Sequence, residues 1–197
     1  MRGVLYLASK SPRRRELLHR AGIEFELHPP GPEPAGSGSP RDRAMQRARS
    51  KAERATPPQA AGFVLGVDTM VVVGRSPDDP MDIDDGEELG KPADRAAAAV
   101  MLECLAGRDH VVLTAHCIVD TSSHAVEAAC VAARVRCDGL SADQIERYLD
   151  VGEWADKAGG YGIQGGAGAF MRVVDGELDT VIGLNVATVR RLIEEGM

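Results

Sequence analysis

The sequence predicts an α/β fold with a mixed central sheet flanked by helices, and three observations carry that prediction. Apolar runs of strand length alternate with segments opened by helix caps and prolines. One run, Phe63–Val73, is apolar enough to be a strand buried on both faces. The second half holds long strand-like runs joined by short turns, which adds antiparallel pairs to the sheet.

Val4–Ala8 reads as a strand entering the core. Ser11 is placed as an N-cap and Pro12 as the first helical residue, where a missing N–H costs nothing. The helix runs to Ala21, and Gly22 suits its C′ position. Ile23–Leu27 reads as a short strand, and His28–Ser39, rich in Pro and Gly, as an irregular loop. Ser39-Pro40 repeats the cap-and-proline signal and opens a helix to Ala55 whose many arginines read as a solvated basic face.

After the central strand comes an acidic loop, Asp82–Gly90, then an Ala-rich helix, Pro92–Leu105, ended by Gly107. Val111–Asp120 and His124–Arg136 read as long strands. Ser141 and Gln144 form a capping box for a helix to Leu149. Gly152–Gly168 is a glycine-rich loop. Ala169–Val174 and a strand beyond Asp175-Gly176 are expected to pair as a hairpin, and a helix at Asn185–Glu195 closes the chain.

The net charge of −7 argues against a binder of nucleic acid polymers but not against a small nucleotide held in a local basic pocket. The four cysteines form no CxxC pair and read as buried free thiols of a reducing compartment. No apolar stretch approaches the roughly 20 residues of a membrane span. The expected location is the cytoplasm.

Four features could carry chemistry. Arg13, Arg14 and Arg15 crowd the first turn of the first helix, the end that the helix dipole already makes positive. That arrangement makes sense if a bound anion, such as a polyphosphate, completes the site. Asp68 interrupts an apolar strand, where a lone carboxylate is costly unless it is paired, hydrogen-bonded or bound to a metal. It reads as a carboxylate acting on water or holding a divalent cation, or as a cap on a nearby amide; Thr69 beside it could bond substrate or fill the strand. Gly90-Lys91-Pro92 is not a Walker A loop, so Lys91 is read equally as a phosphate ligand or a solvated lysine. In Asp156–Gly165, Lys157 could meet phosphate and Gln164 could read a base edge, with Trp154 or Tyr161 packing nearby.

In this order the motifs LASKSPRRRELL (Leu7–Leu18), SKA (Ser50–Ala52), GVDTMVV (Gly66–Val72), LGKPAD (Leu89–Asp94), GRDH (Gly107–His110), DKAGGYGIQG (Asp156–Gly165) and VIGL (Val181–Leu184) resemble the Maf family of nucleoside triphosphate pyrophosphatases. The resemblance implies a single elongated domain, 1–197, with two lobes around a central cleft, similar to inosine triphosphate pyrophosphatase. It implies cleavage of dTTP or UTP between the α and β phosphates, yielding a nucleoside monophosphate and pyrophosphate, with a divalent metal (Mg, Mn or Co). Asp68 would be the proton acceptor. Ser9, Arg13, Arg14, Lys51 and Lys91 would hold the triphosphate, while Arg13, Thr69 and Gln164 would set the base preference. Arg15 falls outside the family pair and reads as an exposed residue.

The family has two adjacent acids in the loop after the second strand, the second a metal ligand. Glu33-Pro34 is the nearest match here, so Glu33 joins Asp68 as the candidate metal pair. Asn185 stands where the family has a proline, Trp154-Ala155 replace its Pro-x, and the loop Asp78–Glu88 is longer than its usual one. The imperfect match at Glu33 favours a rival reading, a catalytically weak nucleotide-binding regulator of cell division. The partner is a nucleoside triphosphate, with no membrane and no nucleic acid polymer, and a homodimer stays open.

Overall fold

The computed structural model describes residues 3–55, 61–74 and 83–195. Its elements are β1 (Val4–Ala8), α1 (Pro12–Arg20), β2 (Glu26–His28), α2 (Pro40–Glu53), β3 (Gly62–Val73), β4 (Glu87–Leu89), α3 (Arg95–Leu105), β5 (Asp109–Asp120), β6 (Val126–Cys137), α4 (Ala142–Val151), β7 (Met171–Asp175), α5 (Leu178–Ile182) and α6 (Val186–Glu195). The strands form one mixed sheet in the order β2-β1-β3-β5-β6-β7, with β4 also paired to β3. β1 runs parallel to β2 and β3, whereas β3–β4 and β6–β7 are antiparallel. The expected mixed α/β class is therefore correct.

The chain divides into two compact units, residues 1–69, 114–131 and 183–197, and residues 70–113 and 132–182. In the first unit Leu5, Tyr6, Leu7 and Ala8 are all buried, because β1 has a strand on each side. α2 turns Ala44, Ala48, Lys51 and Ala52 inward, a stripe at helical spacing. It can approach β3 closely because position 66 is glycine: a Cβ there would sit 2.2 Å from the Ala48 carbonyl oxygen.

The second unit has its own apolar core, with Leu102 and Leu105 of α3, Ile145, Tyr148 and Leu149 of α4, and Tyr161 and Met171 among its buried members. Asp94 caps α3 through the Ala97 N–H, and the Ser141–Gln144 capping box closes around the start of α4 as expected.

Several sequence expectations shift. The second strand lies at Glu26–His28 rather than 23–27, where it finds parallel partners on β1. The acidic loop contains β4, since Glu87–Leu89 pair with Val71–Val73; residues 78–82 of that long loop lie outside the described residues. The hairpin expected around Asp175-Gly176 does not form. β7 pairs with β6, and the segment beyond is helix α5, although Thr180-Val181-Ile182 is rich in strand formers. Context overrides propensity there. Ser11 occupies the N-cap of α1 without a side-chain capping bond; its own N–H donates to Ser9 Oγ instead, at 3.2 Å.

Candidate active site

The site residues of the first unit form two adjoining sets. The first is built on β3 and α2. Asp68 is 5% exposed, and its Oδ1 lies 2.5 Å from Lys51 Nζ. The same ammonium lies 2.8 Å from Glu33 Oε2. Lys51 reaches both carboxylates because it sits on the inward stripe of α2, held against β3 by the close approach at Gly66. Asp68 Oδ2 is buried and has no hydrogen-bond partner among the described residues. Burial raises the Asp68 pKa, with Glu33 adding to the rise; Lys51 and Arg14 pull it back only in part.

Glu33 is fixed by bonds that the sequence reading did not foresee. Ser50 Oγ donates to the Pro32 carbonyl at 2.8 Å, and the Gly31 N–H donates to the Lys51 carbonyl at 3.1 Å. Arg47 donates from Nε to the Pro34 carbonyl at 3.3 Å and from Nη2 to the Ala35 carbonyl at 3.0 Å. The basic face of α2 is therefore not merely solvated. Part of it straps the loop onto the helix and brings Glu33 to Lys51.

The second set surrounds Arg14. Its Nη1 donates to Ser9 Oγ at 3.0 Å, its Nη2 to Thr69 Oγ1 at 3.1 Å and its Nε to the Gly183 carbonyl at 2.9 Å. The Thr69 hydroxyl also accepts from Thr114 Oγ1 at 3.3 Å and donates to the Gly183 carbonyl at 3.4 Å. A guanidinium has five N–H donors, so these bonds leave one on each Nη. Burial lowers the Arg14 pKa to about 10, offset partly by Asp68, and the group stays cationic at neutral pH. Arg13 is half-buried in the same first turn, and Arg15, expected to be exposed, is half-buried too. That turn contains no acidic residue.

Lys91, Lys157 and Gln164 belong to the second unit. Lys91 and Gln164 are exposed. The Gly159 N–H donates to the Gly90 carbonyl at 3.0 Å, which ties the Lys91 loop to the glycine-rich stretch. Lys157 Nζ donates to the Glu153 carbonyl, and Glu153 Oε2 accepts the Gly166 N–H at 2.7 Å. Trp154 Nε1 donates to the Leu149 carbonyl at 3.0 Å, and buried Tyr161 bonds His110 Nε2 at 2.8 Å, so both aromatics serve the scaffold. All four cysteines are free, Cys117 and Cys137 buried as expected and Cys104 and Cys130 half-buried.

Thr114, Gly183, Ser50 and Arg47 were missed as members of the site. Thr114 did leave a signal, a polar residue inside an apolar strand, the same signal that exposed Asp68.

Among the described residues no cluster of three or more His, Cys, Asp or Glu is placed to hold a metal. Asp68 and Glu33 still fit a hard divalent cation. Both are oxygen donors, they meet at Lys51, and Asp68 offers a buried oxygen with no other partner. Magnesium-like ions are commonly held by one or two carboxylates, with substrate phosphates and water completing the shell.

The model of the family described as Maf-like protein matches residues 4–196. Similar curated proteins include one from Anaeromyxobacter dehalogenans, 42% identical over 96% of this chain and 92% of its own length. Another, from Symbiobacterium thermophilum, is 41% identical over 98% of this chain and 94% of its own length. A third, from Pyrococcus abyssi, is 38% identical over 98% and 96%. Each bears the name dTTP/UTP pyrophosphatase.

Proposed function

This chain belongs to the Maf family, and on that premise we propose that it hydrolyses nucleoside triphosphates, dTTP and UTP, to the nucleoside monophosphate and pyrophosphate. The observation that carries this reading is the buried Asp68 with one oxygen on Lys51 and the other without a partner, adjoining an arginine held only by neutral oxygens.

The roles follow from that geometry. Lys51 holds Asp68 through Oδ1, and the Asp68 carboxylate takes a proton from the attacking water, whose oxygen then bonds phosphorus as the bridging P–O bond breaks. A carboxylate whose pKa is raised by burial is the stronger base for that transfer. Arg14 presents its two remaining N–H groups to the phosphates, with Arg13 beside it and the uncapped first turn of α1 favouring negative charge. Asp68 and Glu33 would hold the divalent metal, which when bound offsets phosphate charge and lowers the pKa of coordinated water. Ser9 serves the site by receiving Arg14. Lys91 and Lys157 are assigned to phosphate and Gln164 to the base edge, on their chemistry and on their match to the family motifs. The chain acts as a single Maf-like domain.

The net charge of −7 supports a small nucleotide rather than a polymer as partner. Among the described residues no helix is long and apolar enough to cross a membrane. Free thiols support a cytoplasmic location.

The test is a panel of triphosphates with Mg²⁺, Mn²⁺ or Co²⁺. Pyrophosphate release, highest for dTTP and UTP, is expected. Orthophosphate as the product would overturn the bond assignment, and tight binding without turnover under every metal would return the regulator reading.

A further inference from the structure

Two buried groups of the first unit have no part in the chemistry above. His116 in β5 is fully buried, and its Nε2 accepts the Asn185 N–H at 2.9 Å. Burial, together with nearby Arg14, lowers the His116 pKa to about 3, so the ring is neutral and its acceptor lone pair is available at working pH. Asn185 in turn caps α6, its Oδ1 accepting the Thr188 N–H at 2.9 Å.

Two residues earlier, the Gly183 carbonyl accepts from Arg14 Nε at 2.9 Å. Gly183 has a φ of 127°, a conformation open to glycine and hard for other residues. The segment from Gly183 to Asn185 is thus fixed at one end by His116 and presents a carbonyl to the catalytic arginine at the other. Arg14's other two acceptors, Ser9 and Thr69, are hydroxyls that can rotate. The Gly183 carbonyl cannot, because its direction is set by the backbone of this short segment. It therefore fixes the rotation of the guanidinium.

We propose that His116, acting through the Asn185 N–H and the Gly183 carbonyl, is a positioning residue that aims Arg14 at the triphosphate. The linkage depends on the backbone N–H of Asn185, which a proline at position 185 would lack. The proposal rests on the reading of Arg14 as a triphosphate ligand.

The experiment compares His116→Leu, His116→Gln, Asn185→Pro and Asn185→Ala by steady-state kinetics with UTP and by calorimetric binding of α,β-methylene-UTP. His116→Leu and Asn185→Pro each break the bond and are expected to raise KM and Kd about tenfold, with kcat changed far less. His116→Gln supplies an amide oxygen and is expected to recover most of the loss. Asn185→Ala keeps the N–H, so its KM stays near wild type even though α6 loses a cap. In an Arg14→Ala background, His116→Leu and Asn185→Pro are expected to add nothing.

Equal losses from the histidine or proline substitution with and without Arg14 would mean a role in folding only, and would overturn the proposal. So would an Asn185→Ala variant as impaired as Asn185→Pro. If His116→Leu does not fold, the Asn185 pair decides. A wild-type protein that binds the analogue but releases no pyrophosphate defeats the hydrolase reading while Kd still judges the positioning claim. A protein that neither binds nor hydrolyses defeats both.

Discussion

Lys51→Met removes a cation that touches both carboxylates of the site, and its cost can be worked from the contact geometry. The Lys51–Asp68 pair is close, 2.5 Å, with side chains only 11% and 7% exposed. Breaking such a pair by removing one partner costs about 3–5 kcal/mol, because the remaining charge is left in a poorly solvated place. The Glu33 contact is 2.8 Å, but that side chain is 54% exposed, so its share is about 0–1 kcal/mol. The loss must depend on pH. The folded-state pKa of Asp68 is already raised by burial, so the folded protein favours the protonated acid, and stability falls as pH rises through that pKa. Without Lys51 the pKa rises further. The more of Asp68 that is ionised, the more an unpaired carboxylate costs, so the penalty grows as pH rises and shrinks as the group protonates on the acid side. Urea unfolding of both proteins at the two pH values checks this. The gap between them is expected to be about 3–5 kcal/mol at pH 8 and clearly smaller at pH 5. A gap below about 1 kcal/mol, or one that is the same at both pH values, would refute the reasoning that Lys51 neutralises a buried charge.

Asp68→Asn is expected to lower kcat by roughly 10²–10⁴-fold, the usual worth of a general base, while the Kd for α,β-methylene-UTP stays within a few-fold of wild type. Because the Asp68 pKa is raised, the acid limb of kcat/KM should fall above the ordinary aspartate value of about 3.9; a limb at or below that value removes Asp68 as the titrating base. Thr69→Val removes the hydroxyl that Arg14 donates to, so kcat/KM should drop by a similar factor, about five- to tenfold, for every nucleotide tested. A changed ratio between UTP and CTP would instead make Thr69 a reader of the base. Ser50→Ala frees the Pro32 carbonyl at a cost of about 1 kcal/mol and should raise the metal concentration needed for half-maximal activity. The shift should vanish in a Glu33→Ala background if Ser50 works by placing Glu33.

What could be read from the sequence was local. Cap residues, prolines and apolar runs placed α1, α2, α4, β1 and β3 close to where they lie, since each signal is satisfied within a few residues of itself. β4 and α5 were not legible in that way. Glu87–Leu89 become a strand only because Val71–Val73 offer an edge, and Leu178–Ile182 become a helix against their strand propensity because β7 pairs with β6 instead. The same division holds in the site. Asp68 announced itself as a carboxylate in an apolar strand, whereas Lys51 was hidden among the five basic residues of α2. A signal for Lys51 existed. Ala44, Ala48, Lys51 and Ala52 share one helical face, and a lysine on an alanine stripe packed against a strand needs a buried partner.

Lys51 and Arg14 also show why two cations in one site are not redundant. Lys51 is a compact charge that touches two carboxylates, so its charge goes to holding acids in place. The direct hydrogen-bond partners of Arg14 are two hydroxyls and a carbonyl, all of them neutral. An arginine whose task was structural would gain more from a carboxylate, which returns charge as well as geometry. Neutral oxygens fix the plane of the guanidinium without an ion pair, so Asp68 and Glu33 offset its positive charge only in part, at the start of a helix whose dipole adds to it and whose first turn has no acid. Burial then lowers the pKa of the group, meaning that the protein bears a cost to keep it charged there. The arginines that looked misplaced at the wrong end of a helix are, for Arg14, a charge deliberately left open: the fold supplies orientation, and the phosphates of the substrate supply the missing anion.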